Sequence, residues 1–384
     1  MIYFDQAASS FPKPTTVALA MTEAVNEYAA NPGRSGHHLA QRANKVIEET
    51  RKKLQKMFRN ESTNRIIFSL NATTALNQAI EGISWESGDH VIATSFEHNS
   101  VRRPLERLKL EKEIEVDYVR PGENESEWTS IISRKLTEKT KLVMVTHGSN
   151  VTGEIIPIDL IGKLLKKHKA MYCVDASQTA GVLPINMTEM NIDLLAFPGH
   201  KGLMGPQGVG VLLVKNHVTL RPISVGGTGS YSEDRKQPKV WPEGWESGTL
   251  NTPGIAGLLK GMEEVEKKGL SKIFEHEKML AFRTINGLTK VEGVRIIGPK
   301  GEEDRLGVVA FFIEGIDGQE IAMILDQHYD IAVRAGLHCA PMTHDLYETT
   351  DKGVIRVSFG LYNTESEVDK FLVAINEIRD GLLE

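Results

Sequence analysis

The chain has 384 residues, 40% of them hydrophobic and 25% charged, with a formal net charge of −6. That balance fits a globular protein with a sizeable core and room for two domains, and its acidity excludes nucleic acid or an anionic membrane as the main partner. No window approaches the roughly 18 apolar residues of a membrane span, "MIYFDQAASS" is no signal peptide, and two cysteines build no disulfide framework, so the expected location is the cytoplasm.

In chain order, β-rich runs occur at 65–70, 90–96, 113–119, 141–147, 171–176, 194–197 and 209–214. Between them, "TALNQAIEGI", "VRRPLERLKLEKE", "SEWTSIISRKL" and "PIDLIGKLLKKH" repeat apolar residues at helical spacing. The alternation predicts an α/β fold with a mainly parallel sheet covered on both faces, which gathers ligands at the carboxyl ends of its strands. From residue 254 the texture changes. Helical stretches at 254–268 and 270–288 precede strands in "VRIIG", "GVVAFFIEG", "DIAVRAG" and "VIRVSFG", then a terminal helix over 366–383. The expected division is a large domain over 14–253 and a smaller α+β domain from 1–13 with 254–384. The polar run 227–239 reads as a surface loop.

The loops after the strands carry the chemistry. Thr73 and Thr74 follow the first run at a helix start, where orphan N–H groups and the helix dipole favour an anion; a plain threonine cap is the alternative. His98 follows the second run, at a strand end where a lone histidine is more often structural. His147 and Asn150 follow the fourth. Asp175 closes the apolar "MYCVD", either facing a cation or strong donor or capping a helix.

Residues 197–210, "FPGHKGLMGPQGVG", hold Lys201 among five glycines and two prolines. This is no Walker loop, because the lysine precedes Gly202 instead of following the glycines and meeting Ser or Thr. Glycine and proline at that density impose a special backbone path. Lys201, Asp175, the Ala72–Thr73 turn and His98 together match the needs of pyridoxal phosphate. Those needs are an amine to attach it, an acid for its ring nitrogen, an anion site and a flat group over the ring. No residue is assigned to a metal.

The ordered set "DQAAS", "NATTALN", "EHNS", "HGSNVTG", "VDASQ", "GHKGLMGPQGVG", "ESGTLNT", "RAGLHCAP" and "RVSFGLYNT" resembles the class V aminotransferase family, in its cysteine desulfurase and selenocysteine lyase branch. The resemblance implies the aspartate-aminotransferase-like fold type I and a homodimer with shared active sites. Lys201 then matches the lysine that attaches the cofactor, with His200 beside it on the phosphate. Asp175 matches the partner of the ring nitrogen, Gln178 that of the ring hydroxyl, and His98 the stacking histidine. Ala72 and Thr73 match the phosphate turn, and Thr249 a threonine reaching the phosphate from the other subunit. Ala8, Arg34, Asn150 and Arg356 match substrate contacts, Arg356 as the clamp on the substrate carboxylate.

Cys339 matches the cysteine that takes sulfur from L-cysteine, or selenium from L-selenocysteine, leaving alanine. Arg334 and His338 would supply positive charge or a proton acceptor beside it. Cys173, inside a strand, reads as a buried hydrophobe. Two positions depart from the pattern. Pro198 stands where a hydroxyl residue commonly bonds the phosphate, and Gly33 where the branch often has histidine. The short segment around Cys339 resembles members that hold the cysteine in place and use a separate sulfur acceptor; iron–sulfur cluster assembly and thiolation are alternative destinations. Another class V reaction, transamination or β-elimination, and a non-catalytic dimeric scaffold are the competing readings.

Overall fold

A computed structural model of the chain describes residues 1–32, 36–120, 125–229, 231–299 and 305–383. The chain enters through β1 (Ile2–Tyr3) and two helices, α1 (Thr15–Glu27) and α2 (His38–Phe58). α2 buries Ala40, Ala43, Ile47, Leu54 and Phe58, a three- and four-residue rhythm, and stops where Arg59 turns left-handed at φ 54°. These two helices lie outside the segments that sequence periodicity singles out.

The β/α alternation then follows the expected runs: β2 (Ile66–Ser69), α3 (Ala72–Glu81), β3 (His90–Thr94), α4 (Asn99–Lys112), β4 (Glu115–Val119), α5 (Glu125–Lys135), β5 (Thr140–Thr146), α6 (Ile158–Leu165), β6 (Met171–Asp175), β7 (Leu194–Pro198) and β8 (Gly210–Val214). They form one seven-stranded sheet in the order β2-β8-β7-β6-β5-β3-β4. Every pairing from β4 across to β7 is parallel, and β8 runs antiparallel to both β2 and β7.

Both faces of this sheet are covered, so its central strands carry unbroken apolar runs, residues 142–145 and 171–174 among them, and not alternate apolar residues. Val143, Val145, Val174, Leu195, Phe197 and Leu213 enter one core, while Leu142, Met144, Cys173, Leu194, Ala196 and Leu212 enter the other. The split between successive residues is the two-residue period of the strand.

The rest comprises α7 (Thr252–Lys268), α8 (Leu270–Leu288), β9 (Val294–Ile297), β10 (Val308–Ile313), α9 (Gly318–Tyr329), β11 (Ile331–Ala332), β12 (Arg334–Gly336), α10 (Pro341–Leu346), β13 (Val354–Ser358) and α11 (Glu365–Leu383). β12, β13, β10 and β9 make an antiparallel sheet whose core includes Val309, Phe311, Val357 and Phe371. The first residues join that core: β1 pairs with β11 in a separate two-stranded sheet, and Phe4 lies edge-on to Phe359 and Phe371. The single expected strand "DIAVRAG" is broken at Val333 into β11 and β12, which serve different sheets. α7 packs on α1 and α2, and its Ile255, Leu258 and Met262 belong to the core of the large sheet.

One contact ties the sheet to the site. Gly210 pairs with both Ser69 and Pro198, and a Cβ there would lie 2.2 Å from the carbonyl carbon of Asn71, at the start of α3. Gly210→Ala is therefore expected to push Asn71 away and to cost about 1–3 kcal/mol of stability, as overpacking does. Urea denaturation measures this, and an unchanged midpoint would show that the helix start yields freely.

Candidate active site

The carboxyl ends of β3, β5, β6 and β7 and the start of α3 open into one cavity of about 220 Å³. Asn71, and not a threonine, caps α3: its Oδ1 accepts from the Thr74 N–H at 2.9 Å. Ala72 and Thr73 line the cavity in the first turn, where amide donors and dipole attract an anion. Pro198 lines it as well and offers no donor.

His98 caps α4, its Nδ1 accepting from the Ser100 N–H at 3.0 Å with the Ser100 hydroxyl 2.8 Å away. An amide only donates, so Nδ1 is bare and the proton of the neutral ring sits on Nε2. Burial keeps this imidazole below its usual range against the pull of Asp175, and Lys201, Arg334 and Arg103 push the same way as burial.

Asp175, buried at the end of β6, accepts from the Ser177 N–H at 2.8 Å. It therefore caps a turn, not a helix. Gln178 lines the cavity and donates to the Ala7 carbonyl at 3.1 Å; Ala8 lies alongside.

The glycine-rich loop earns its composition. Gly199 N–H bonds Val209, Gly205 N–H bonds the Gly199 carbonyl, and Met204 N–H closes onto the Lys201 carbonyl at 2.8 Å. A Cβ on Gly202 would meet the Ala180 carbonyl oxygen at 2.6 Å. The loop thus packs backbone on backbone and leaves Lys201 facing the cavity. The Lys201 side chain is walled off from bulk solvent yet open to the cavity, and burial brings its ammonium down to about 8. Asp175 opposes that shift, while Arg356 and Arg334 reinforce it. His200 beside it falls to about 4, chiefly through burial, and its Nδ1 is buried without a partner.

On the opposite wall Arg356, 1% exposed, donates to the Asn150 carbonyl at 2.9 Å and to Asp5 Oδ1 at 2.6 Å. Its Nε has no partner. Asn150 in turn donates to the His338 carbonyl at 2.7 Å.

Cys339 does not itself line the cavity; it lies half-buried beside His338 and Arg334, which do, with Arg334 donating to its sulfur at 3.7 Å. His338 and Cys339 are both left-handed, at φ 51° and 59°, and the Cys339 carbonyl accepts from the Asn99 N–H. Two successive non-glycine residues in that region are a strained turn, held here by its contacts. His338 supplies no positive charge. Its Nε2 bonds the Val354 carbonyl, so that nitrogen holds the proton, and burial brings the ring down to about 2. Nδ1 is left buried, unpartnered and unprotonated. Arg334 is the cation on the sulfur.

One expected residue lies elsewhere and another is not among those described. Thr249 lines a separate pocket, 3.4 Å from Asn31 Nδ2, and Arg34, like Gly33, falls outside the described residues. Sequence reasoning also passed over Asp5, whose link to Arg356 spans 351 positions, and Ser100, whose amide decides the His98 tautomer. The quoted motifs contained both residues; their partners lay in other segments or in backbone groups.

The sequence profile described as Aminotransferase class-V matches residues 2–371. A curated relative from Pyrococcus abyssi, named probable cysteine desulfurase, is 36% identical, the match covering 100% of this chain and 95% of the relative. One of the same name from Methanothermobacter thermautotrophicus is 34% identical over 98% of this chain and 94% of its own. The solved apo structure of a cysteine desulfurase from Thermococcus onnurineus NA1 superposes with a TM-score of 0.91 at 35% identity, covering 99% of this chain and 95% of that one.

A lysine held at about 8 instead of 10.5 carries a thermodynamic cost. Between those values the unfolded chain binds more protons, so stability rises with pH across the window and the cost is full below it. Lys201→Met, in ligand-free protein, is thus expected to gain about 1–3 kcal/mol at pH 7, discounted for the cavity's openness. The gain should shrink toward pH 10 in paired urea titrations; a gain independent of pH would mean that the amine is not what costs.

Proposed function

The chain belongs to the class-V aminotransferase family, and on that premise we propose that it is a pyridoxal-phosphate-dependent cysteine desulfurase. It converts L-cysteine to L-alanine and carries the sulfur on Cys339 as a persulfide. The observation that carries this reading is the meeting of Lys201, Asp175, Arg356 and Arg334 in one cavity, with Arg334 also donating to the sulfur of Cys339.

The residues present fit the cofactor. Its phosphate would meet the first turn of α3 and the orphaned Nδ1 of His200, for which a bound group is the natural partner. Asp175 would hold the ring nitrogen, Gln178 the ring hydroxyl, and His98 the ring face. Lys201 is the attachment residue, and an ammonium lowered to about 8 supplies a free amine near neutral pH. When bound, the cofactor supplies an electron sink for the substrate α-carbon.

The chain's own residues do the rest. Arg356, pre-aimed by Asp5 and the Asn150 carbonyl, clamps the substrate carboxylate, with Ala8 and Asn150 alongside; Arg34 is a further substrate contact on the family resemblance alone. Lys201 accepts and returns the proton at the α-carbon. Arg334 donates to the sulfur of Cys339, which attacks the substrate sulfur as the thiolate. The new S–S bond forms as the C–S bond breaks. The electron pair stays with the three-carbon fragment, which is protonated and leaves as alanine. His98 and the bare Nδ1 of His338 are the neutral proton-handling groups nearby.

The same reading makes the protein a cytoplasmic homodimer in which Thr249 completes the partner's phosphate site, which accounts for its distance from the cavity of its own chain. Among the described residues no helix is long and apolar enough to cross a membrane. Residues 14–253 would form the cofactor-binding domain and 1–13 with 254–384 the smaller one, α7 staying packed on the larger core. L-selenocysteine is a second substrate, and a separate protein accepts the sulfur, iron–sulfur cluster assembly being one destination.

Cys339→Ser separates desulfuration from every other reaction of this family, since only sulfur transfer needs a second nucleophile on the protein. After reconstitution with pyridoxal phosphate the variant should keep the visible absorption band of the wild type. It should lose sulfide release from cysteine by about 100-fold or more, and persulfide labelling with it. Selenocysteine, with its better leaving group, should be spared. Sulfide release near the wild-type rate would favour a β-eliminating enzyme instead.

A further inference from the structure

Glu97 precedes His98 and is fully buried, yet nothing in the mechanism above uses it. Its Oε1 accepts from the Thr94 hydroxyl at 2.6 Å and from the Thr146 N–H at 2.8 Å. The second bond falls where the sheet runs out. The pairing of β3 with β5 ends at Ala93 and Met144, because the chain turns away after Thr94. The N–H of Thr146, two residues further along β5, would be left buried and unpaired, at a cost comparable to that of a lost hydrogen bond. The Glu97 carboxyl stands in for the missing strand. On its other side, Thr146 pairs in register with Asp175.

We propose that Glu97 is a positioning residue: its carboxyl joins the end of β3 to the end of β5 and so sets His98 at a defined place relative to Asp175. The inference rests on the cofactor reading above, in which those two residues hold the face and the nitrogen of one ring. It adds a device on the buried side of the site, built from a residue that touches neither substrate nor cofactor.

The carboxyl acts as a neutral acid. Oε2 is buried without a partner, and no ion pair to Glu97 forms among the described residues. Burial drives it up to about 8, and the charge of Asp175 adds to that. Its other titratable neighbours, Tyr118 of β4 and Tyr172 and Cys173 of β6, are themselves held neutral, chiefly by burial. A neutral acid that accepts two hydrogen bonds through one oxygen has an isostere in glutamine. A displaced stacking group costs far more than a lost charge here, since misplacement near 1 Å already lowers rates by about 100-fold.

Three variants of the reconstituted enzyme test this, read by visible circular dichroism of the bound cofactor and by kcat and KM separately. Glu97→Gln should match the wild-type dichroism and stay within about threefold in kcat, because the amide oxygen still takes both bonds. Glu97→Ala should alter the dichroism and lower kcat by about 100-fold with KM little changed. Thr94→Val removes one donor while keeping shape, and should change the dichroism in the same direction with about a tenfold fall in kcat. It serves in place of Glu97→Ala if that variant fails to fold. Wild-type dichroism in Thr94→Val or Glu97→Ala, or a loss in Glu97→Gln as deep as that in Glu97→Ala, overturns the proposal. Failure of the wild type to bind the cofactor would instead overturn the functional reading on which it rests.

Discussion

The register of β5, β6 and β7 is the constraint on which the site depends. Thr146 lies opposite Asp175, and Asp175 opposite Ala196, so one row across the sheet places a carboxylate at the cavity floor. Lys201 then follows a short loop beyond the end of β7. A slip of one residue would turn Asp175 to the other face, into a core where an unpaired carboxylate costs several kcal/mol. Strands apolar on both faces tolerate no such error, and the polar chemistry collects where they end.

Around that row the site separates charge from neutrality. Arg334, Arg356, Lys201 and Asp175 are the ionisable groups that face one another across the cavity. The histidines are their neutral counterpart. His98, His200 and His338 are all lowered by burial, and two of them have their tautomers decided by a backbone group that can only donate or only accept. Neutral rings among fixed cations can pass protons without adding to the positive charge that Arg334 and Arg356 bring to the cavity. The left-handed pair His338–Cys339 adds a mechanical element. A strained turn, pinned by Asn99 and Asn150, keeps the sulfur beside Arg334 and out of the core.

Much of this was legible in the chain. The seven runs of the large sheet, the glycine-dense loop around Lys201 and the polar residues at strand ends follow from local chemistry: side-chain period, φ freedom and the cost of burying charge. The helices α1 and α2 were not singled out. The apolar face of α1 is short and alanine-rich and is buried largely against α7, a partner more than 200 positions away in the chain, whereas α2 carries a helical rhythm from Ala40 to Phe58 that was legible and passed over. Nor could local pattern divide "DIAVRAG" between two sheets, since the break at Val333 serves pairings made by β1 and β13.

The sequence by itself determined which residue types stand at the strand ends, because alternation and turn chemistry act over a few residues. The tertiary structure decided what each does there. Asp5 reaches Arg356 and Glu97 completes a strand that has ended, because such pairings depend on which segments the sheet order makes neighbours; the Asn71 cap of α3 is by contrast a local bond to Thr74. The charge of His338 was settled in the same way. Whether an imidazole is a cation or a bare acceptor depends on its burial and on the carbonyl it meets, and both are properties of the folded chain.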